Sequence, residues 1–163
     1  WSRTQQTPSQ GIHGKEICLD PEGRRSPERK DGLMSKRVLK IISDAMESLG
    51  LEYDFSTYSG NAAGKVIYPY FVGEYQEIEP STEDGMMDST FILTGFHRGT
   101  WLALEDAKER IQKYFNKVSG KIVMAHDGSA VAIFYANSFP IRTGDTELKR
   151  IQINLHVKEW SVE

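Results

Sequence analysis

The segment from Leu148 to Lys158 alternates, with Leu148, Ile151, Ile153, Leu155 and Val157 mostly on one face and Gln152, Asn154, His156 and Lys158 on the other. A period of two is that of a strand, and clean alternation belongs to a sheet packed on one side and solvated on the other. A chain with such a strand must supply a layer that covers one side of a sheet.

Two stretches can supply that layer. In SKRVLKIISDAMESLG, Val38, Leu39, Ile42, Ala45, Met46 and Leu49 recur at three- and four-residue steps, with Ser35 placed to cap and Gly50 to stop a helix. A second, longer helix is expected after Gly99: Leu104, Ala107, Ile111, Tyr114 or Phe115, and Val118 form one apolar stripe. Thr100 is its expected cap, Glu105 and Asp106 suit its first turn, and Lys117 with Gly120 its end. Asp106 with Arg110 and Glu109 with Lys113 have the spacing of favourable pairs, each worth about 0.2 to 0.5 kcal/mol.

Between the helices, residues 52–58 read as a short strand and SGNAAGK (59–65) as a loop. VIYPYFVGEYQEIE (66–79) reads as a strand that Pro69 limits to an edge or a strand beginning. PSTEDG (80–85) has turn chemistry, and MMDSTFILTGFH (86–97) returns as the second arm of an antiparallel hairpin. Past the second helix follow a weak strand at 121–125, the turn HDGS (126–129), the strand AVAIFYAN (130–137), the loop SFPIRTGD and the alternating strand. This order predicts an α+β fold, a mainly antiparallel β-sheet with two helices packed on one face, over residues 34–163.

Residues 1–33 hold three prolines, four glycines, many charges and no sustained apolar period, and are expected to be disordered. Because Met34 is the first methionine and helical periodicity follows it, that stretch reads as a leader, tag or upstream translation, with a functional disordered arm as the alternative. The net charge of −3 gives no basic field to hold nucleic acid, and no apolar run approaches the roughly 18 residues that span a membrane. With Cys18 alone, an internal disulfide is impossible and a cysteine zinc site has no ligand set.

Motifs for chemistry are weak. GNAAGK has three residues between its glycines where a phosphate loop needs four, and Val66 where Ser or Thr is needed. His126 and Asp127 sit in an Asp-Gly turn, and His13, His97, His126 and His156 have no metal-binding spacing. No cofactor or metal is expected. Glu74, Glu77, Glu79, Glu83, Asp84 and Asp88 make an acidic hairpin, solvated or turned toward an assembly partner. At the joint TGFHRGTWLALEDA, His97 and Arg98 end a strand and Trp101 begins the helix. An anion site with Arg98 beside free helix amides is the functional alternative there.

YPYFVGEYQEIE followed by DSTFILTGFHRGTWLALEDAKERIQKYF, in this order and spacing, resembles the tail terminator and tail completion proteins of lambda-like long-tailed bacteriophages and prophages. The likeness covers residues 35 to about 158 and rests on Tyr68, Pro69 and Tyr70 at the strand start and on Arg98 to Trp101 at the joint. It implies a non-enzymatic virion protein, made in the bacterial cytoplasm and located at the head-proximal end of the tail. There a homohexameric ring would stop tail-tube growth and dock the tail to the head-tail connector protein. Its partners would be other copies of itself, the tail tube protein and the connector, with DNA passing through unbound and no membrane involved. On that expectation Glu77, Glu79, Glu83, Asp84, Arg98 and His156 are the candidate assembly-interface residues, and the edges of the Pro69 strand or of the terminal strand would pair between neighbours. The alternatives are a head-tail connector or neck protein and, in another class, a small enzyme using His97, Arg98 and a hairpin carboxylate.

Overall fold

Ser35 caps the first helix as expected, its hydroxyl accepting from the Val38 amide at 3.4 Å. In the computed structural model, which describes residues 35–77 and 86–161, that helix is α1 (Lys36–Ser48). It buries Val38, Ile42, Ala45 and Met46 and gives way to Gly50 at φ +66°. The expected leader and the PSTEDG turn lie outside the described residues, as do Glu79, Glu83 and Asp84.

The strands are β1 (Glu52–Phe55), β2 (Tyr70–Glu77), β3 (Met86–Arg98), β4 (Lys121–Met124), β5 (Ala130–Ile141) and β6 (Leu148–Trp160), with α2 (Leu102–Tyr114) between β3 and β4. They form one six-stranded sheet in the order β1-β2-β3-β6-β5-β4. All neighbours are antiparallel except β1 and β2, which are joined through residues 56–69 and run parallel. The Tyr68–Pro69 peptide is cis and immediately precedes β2, so Pro69 marks a strand beginning as its missing N–H requires. The chain is thus α+β, with a mostly antiparallel sheet and two helices.

Alternation along β6 is as read: Ile151, Ile153, Leu155 and Val157 are buried and their neighbours half-buried. They join Phe71, Phe91, Leu93, Val131, Ile133 and Tyr135 from the other strands, and the buried residues of α1 and α2, in one apolar cluster. Each large side chain so buried contributes roughly 1.5 to 3 kcal/mol. Helix α1 touches β1, and α2 touches β3 and β6.

Five expectations need correction. The second helix is no longer than the first, both having 13 residues. It stops at Tyr114 because Phe115 leaves the helical region and the Asn116 side chain accepts from the Val118 and Ser119 amides, so Val118 falls outside the stripe and is 88% exposed. Thr100 does not cap it: Trp101 occupies the cap position with helical backbone and makes no side-chain cap bond, which leaves Thr100 one residue too far out. The pairs expected on α2 are replaced by Lys108 with Glu105, while Arg110 donates to the Leu49 carbonyl at 2.8 Å, at the negative end of α1. Strand β5 runs on through Ser138–Ile141, which were read as loop.

The strand order corrects the expected edge at the terminal strand as well. After β3 the chain crosses through α2 to the far side of the sheet, lays down β4, and returns through β5 and β6 toward β3. The terminal strand is therefore central, the Pro69 strand lies between β1 and β3 over Tyr70–Gly73 and pairs with β3 alone over Glu74–Glu77, and the outermost strands are β1 and β4.

Candidate functional site

Residues 97 to 101 end one element and start the next. His97 and Arg98 close β3 opposite Lys149 and Leu148, the Gly99 amide donates to the Glu147 carbonyl, and Trp101 opens α2. Gly99 sits at φ +113°, a conformation that L side chains rarely adopt, so the sharp turn depends on glycine.

Arg98 is half-exposed and stands 3.8 Å from the Asp145 carboxylate. Tyr68 first, and then the Asp145 carboxylate, raise the guanidinium pKa above its ordinary value. Tyr68 also meets the His97 ring edge-on at 6.2 Å, and the buried His97 Nδ1 has no hydrogen-bond partner. Beside this group lies an open cleft of about 520 Å³ whose lining includes Trp101, Pro140, Ile141, Asp145, Leu148 and Lys149.

An aromatic row that sequence reasoning missed continues from there. Tyr58 stacks on Tyr70 at 4.1 Å between centroids, Tyr70 on Phe96 at 5.1 Å, and the Arg150 guanidinium lies 5.5 Å from the Phe96 ring. Burial first, then the neighbouring Tyr68 and Tyr58, pushes the Tyr70 pKa up. The signal was present in the Tyr-Pro-Tyr run, but it becomes a row only because Tyr70, Phe96 and Arg150 are successive register partners across β2, β3 and β6.

Toward the other end of β3, the His156 ring lies 3.0 Å from Asp88, and Asn154 links Asn137 at 2.7 Å to Gln152 at 2.9 Å. His156, read as a solvated or interface residue, is thus half-exposed and tied to a carboxylate. Glu77 closes β2 opposite Ser89. Thr90, the partner of His156, and Arg98 are eight residues apart on β3, or roughly 26 Å at about 3.3 Å per residue. Of the candidate interface residues that are described, Glu77 and His156 therefore lie toward one end of the hairpin and Arg98 at the other.

That division bears on the enzymatic alternative. Asp88 and His97 are nine residues apart on β3, roughly 30 Å, and Glu74 faces Ile92, five residues short of His97 and roughly 16 Å away. Neither Glu74 nor Asp88 reaches His97 or Arg98, and the carboxylate at Arg98 comes from the β5–β6 connection instead.

The remaining motifs have local structural roles. Asn61 accepts from the Ala63 and Lys65 amides and folds GNAAGK into a turn with no helix behind it. Asp127 accepts from the Ser129 amide and hydroxyl at 2.9 and 2.6 Å and pairs with Arg37 at 3.6 Å, closing the β4–β5 turn beside His126. Among the described residues no three His, Cys, Asp or Glu side chains gather, and no helix is long and apolar enough to cross a membrane.

No protein-family model matches the chain, and no curated protein matches it significantly.

Proposed function

We propose that this chain is a structural virion protein that ends the tail tube of a long-tailed bacteriophage and joins tail to head as a homohexameric ring. Its localisation would be the head-proximal end of the tail after assembly in the bacterial cytoplasm. The observation that carries the reading is the pair of open edges at opposite ends of one sheet, β1 and β4. A ring needs two different surfaces on each subunit, one for each neighbour, and closes when the rotation between copies is an integral fraction of a turn. The element order of helix, strands, helix, strands agrees with the resemblance carried by the Tyr-Pro-Tyr strand and the Arg98–Trp101 joint.

In this reading both helices lie on one face of the sheet, supported by the single buried cluster that α1 and α2 share with alternate strand residues. The polar face bearing Gln152, Asn154 and His156 is then free for tube, connector or channel. Net negative charge suits passage of DNA without binding.

Electron microscopy of purified protein with isolated tail tubes and with portal-bearing heads tests the reading. Six-fold rings capping tubes are expected. Rings that bind only portals would make the chain a connector or neck protein, and a monomer at all concentrations that caps neither would overturn the proposal.

A further inference from the structure

The two open edges match each other in direction, hydrogen-bonding phase and charge. Four antiparallel steps separate β2 from β4 and one parallel step separates β1 from β2, so β1 and β4 run the same way across the sheet. Repeating the subunit by rotation therefore brings β4 of one copy beside β1 of the next as parallel strands.

The phase follows from the hydrogen bonds. At the β4–β5 turn the Ala125 amide donates to the Ser129 carbonyl, and bonded and non-bonded pairs alternate along an antiparallel ladder. Lys121 and Val123 thus bond inward to β5, and the N–H and C=O of Ile122 and Met124 point outward. On β1 the Ser56 amide donates to the Gly73 carbonyl, so Asp54 and Glu52 bond inward while Tyr53 and Phe55 point outward. The Phe55 carbonyl is taken by the Thr57 amide, which leaves the Tyr53 N–H, the Tyr53 C=O and the Phe55 N–H.

In a parallel ladder, one residue bonds to the residues before and after its register partner. With Tyr53 beside Val123, the Tyr53 N–H meets the Ile122 carbonyl, the Met124 N–H meets the Tyr53 carbonyl, and the Phe55 N–H meets the Met124 carbonyl. All three free groups of β1 are then satisfied. The same register puts Tyr53 and Val123 on one face of the continued sheet and Glu52 and Ile122 on the other.

Charge and exposure agree with this joint. Residues 51–58 carry Glu52 and Asp54 and no cation, whereas residues 116–126 carry Lys117 and Lys121 and no acid. Pairing β4 with β4, or β1 with β1, sets like charges together within a Debye length of about 8 to 10 Å. Ile122 and Met124 are 59% and 75% exposed, an apolar open edge of the kind that isolated proteins blunt.

We propose that copies of this chain join head to tail, β4 of one running parallel to β1 of the next with Tyr53 in register with Val123, so that one sheet continues from subunit to subunit. The joint rests on the ring reading above only for its closure. It is tested by disulfide trapping in a Cys18→Ser background, with Glu52→Cys and Ile122→Cys chains oxidised by diamide separately and mixed. Linked pairs in the mixture, and a ladder from the doubly substituted chain, are expected. Met124→Pro removes an outward N–H and spares the β5 ladder; at least tenfold weaker association with an unchanged monomer unfolding transition is expected.

Rings seen by light scattering without the mixed crosslink would overturn the joint while leaving the ring reading standing. Linked pairs from Ile122→Cys alone would overturn the head-to-tail arrangement, and linked open chains without rings would support the joint and count against closure. A monomer at every concentration would overturn both.

Discussion

Gly95 lies in β3 between Phe71 of β2 and Ile151 of β6, its direct register partners. A Cβ built there meets Phe71 Cε1 at 2.5 Å, Phe71 Cδ1 at 3.0 Å and Ile151 Cγ2 at 3.0 Å. Phe71 is fully buried and Ile151 nearly so, so neither can swing into solvent to make room. Two effects oppose each other in Gly95→Ala. Loss of unfolded-state entropy favours alanine by about 0.4 to 1 kcal/mol where the backbone conformation is compatible. Overpacking a filled core costs about 1 to 3 kcal/mol. At mid-range values the clash prevails, with a net destabilisation of about 1.3 kcal/mol, and the sign alone is informative because open space would give stabilisation.

The assay is urea unfolding, with a lowered midpoint at unchanged slope expected. Phe71→Leu removes the offending ring atom at its own cavity cost. In that background the added methyl fills space, and the cycle should show coupling of about 1 kcal/mol or more between the two positions. A neutral or stabilising Gly95→Ala, or two effects that add within about 0.5 kcal/mol, would refute the packing described for this row.

Tyr53 is pushed up to about 12 from 10.0 by burial, then by Asp54. Its folded pKa is raised, so this contribution is whole below pH 10 and is lost as pH rises toward 12. Two pKa units correspond to about 2.7 kcal/mol, and solvent at the half-buried ring reduces this to roughly 1 to 2 kcal/mol. Urea midpoints at pH 9 and 11.5 should fall further in the wild type than in Tyr53→Phe. Asp127 is held below 3.8 by the Ser129 hydroxyl and amide and by Arg37; its contribution is present above that pKa and lost as pH falls through the lowered value, so acid titration of Ser129→Ala should show a smaller loss below pH 4. Arg110→Ala frees the Leu49 carbonyl, and thermal unfolding should register a cost of about 1 kcal/mol. Val118→Ser should stay within about 0.5 kcal/mol of wild type, whereas Phe115→Ala should cost about 3 to 5 kcal/mol by the same measurement.

The last pair of substitutions isolates what periodicity can and cannot convey. Ile111, Phe115 and Val118 continue one stripe, and spacing alone treats them alike. Asn116 breaks the equivalence by offering its side chain to the amides two and three residues on, a local alternative to the helix that the residue type hints at without fixing its outcome. The stretch SFPIRTGD misled in the opposite direction. It read as loop, yet β5 beyond Ile133 has no β4 beside it and pairs with β6 alone, which makes that stretch an edge where the missing N–H of Pro140 costs nothing. The strand character of β6 was plain because its two faces meet different surroundings along its whole length.

Alternation gives faces, however, and not neighbours. A strand reads the same whether it is central or at an edge when its buried face meets the same core, so the central place of β6 depends on where α2 carries the chain after β3. That crossover places β1 and β4 outermost, and their sequences EYDF and KIVM, though legible as short strands, carry no sign of that position. It also separates the candidate residues, since Arg98 belongs to the Tyr68–Asp145 group while His156 belongs to Asp88, roughly 26 Å along the same strand. Single substitutions at Arg98 and at His156 should therefore act independently on assembly and on stability. A double variant whose effects depart from additivity by more than about 0.5 kcal/mol would mean that the two ends meet across a subunit boundary.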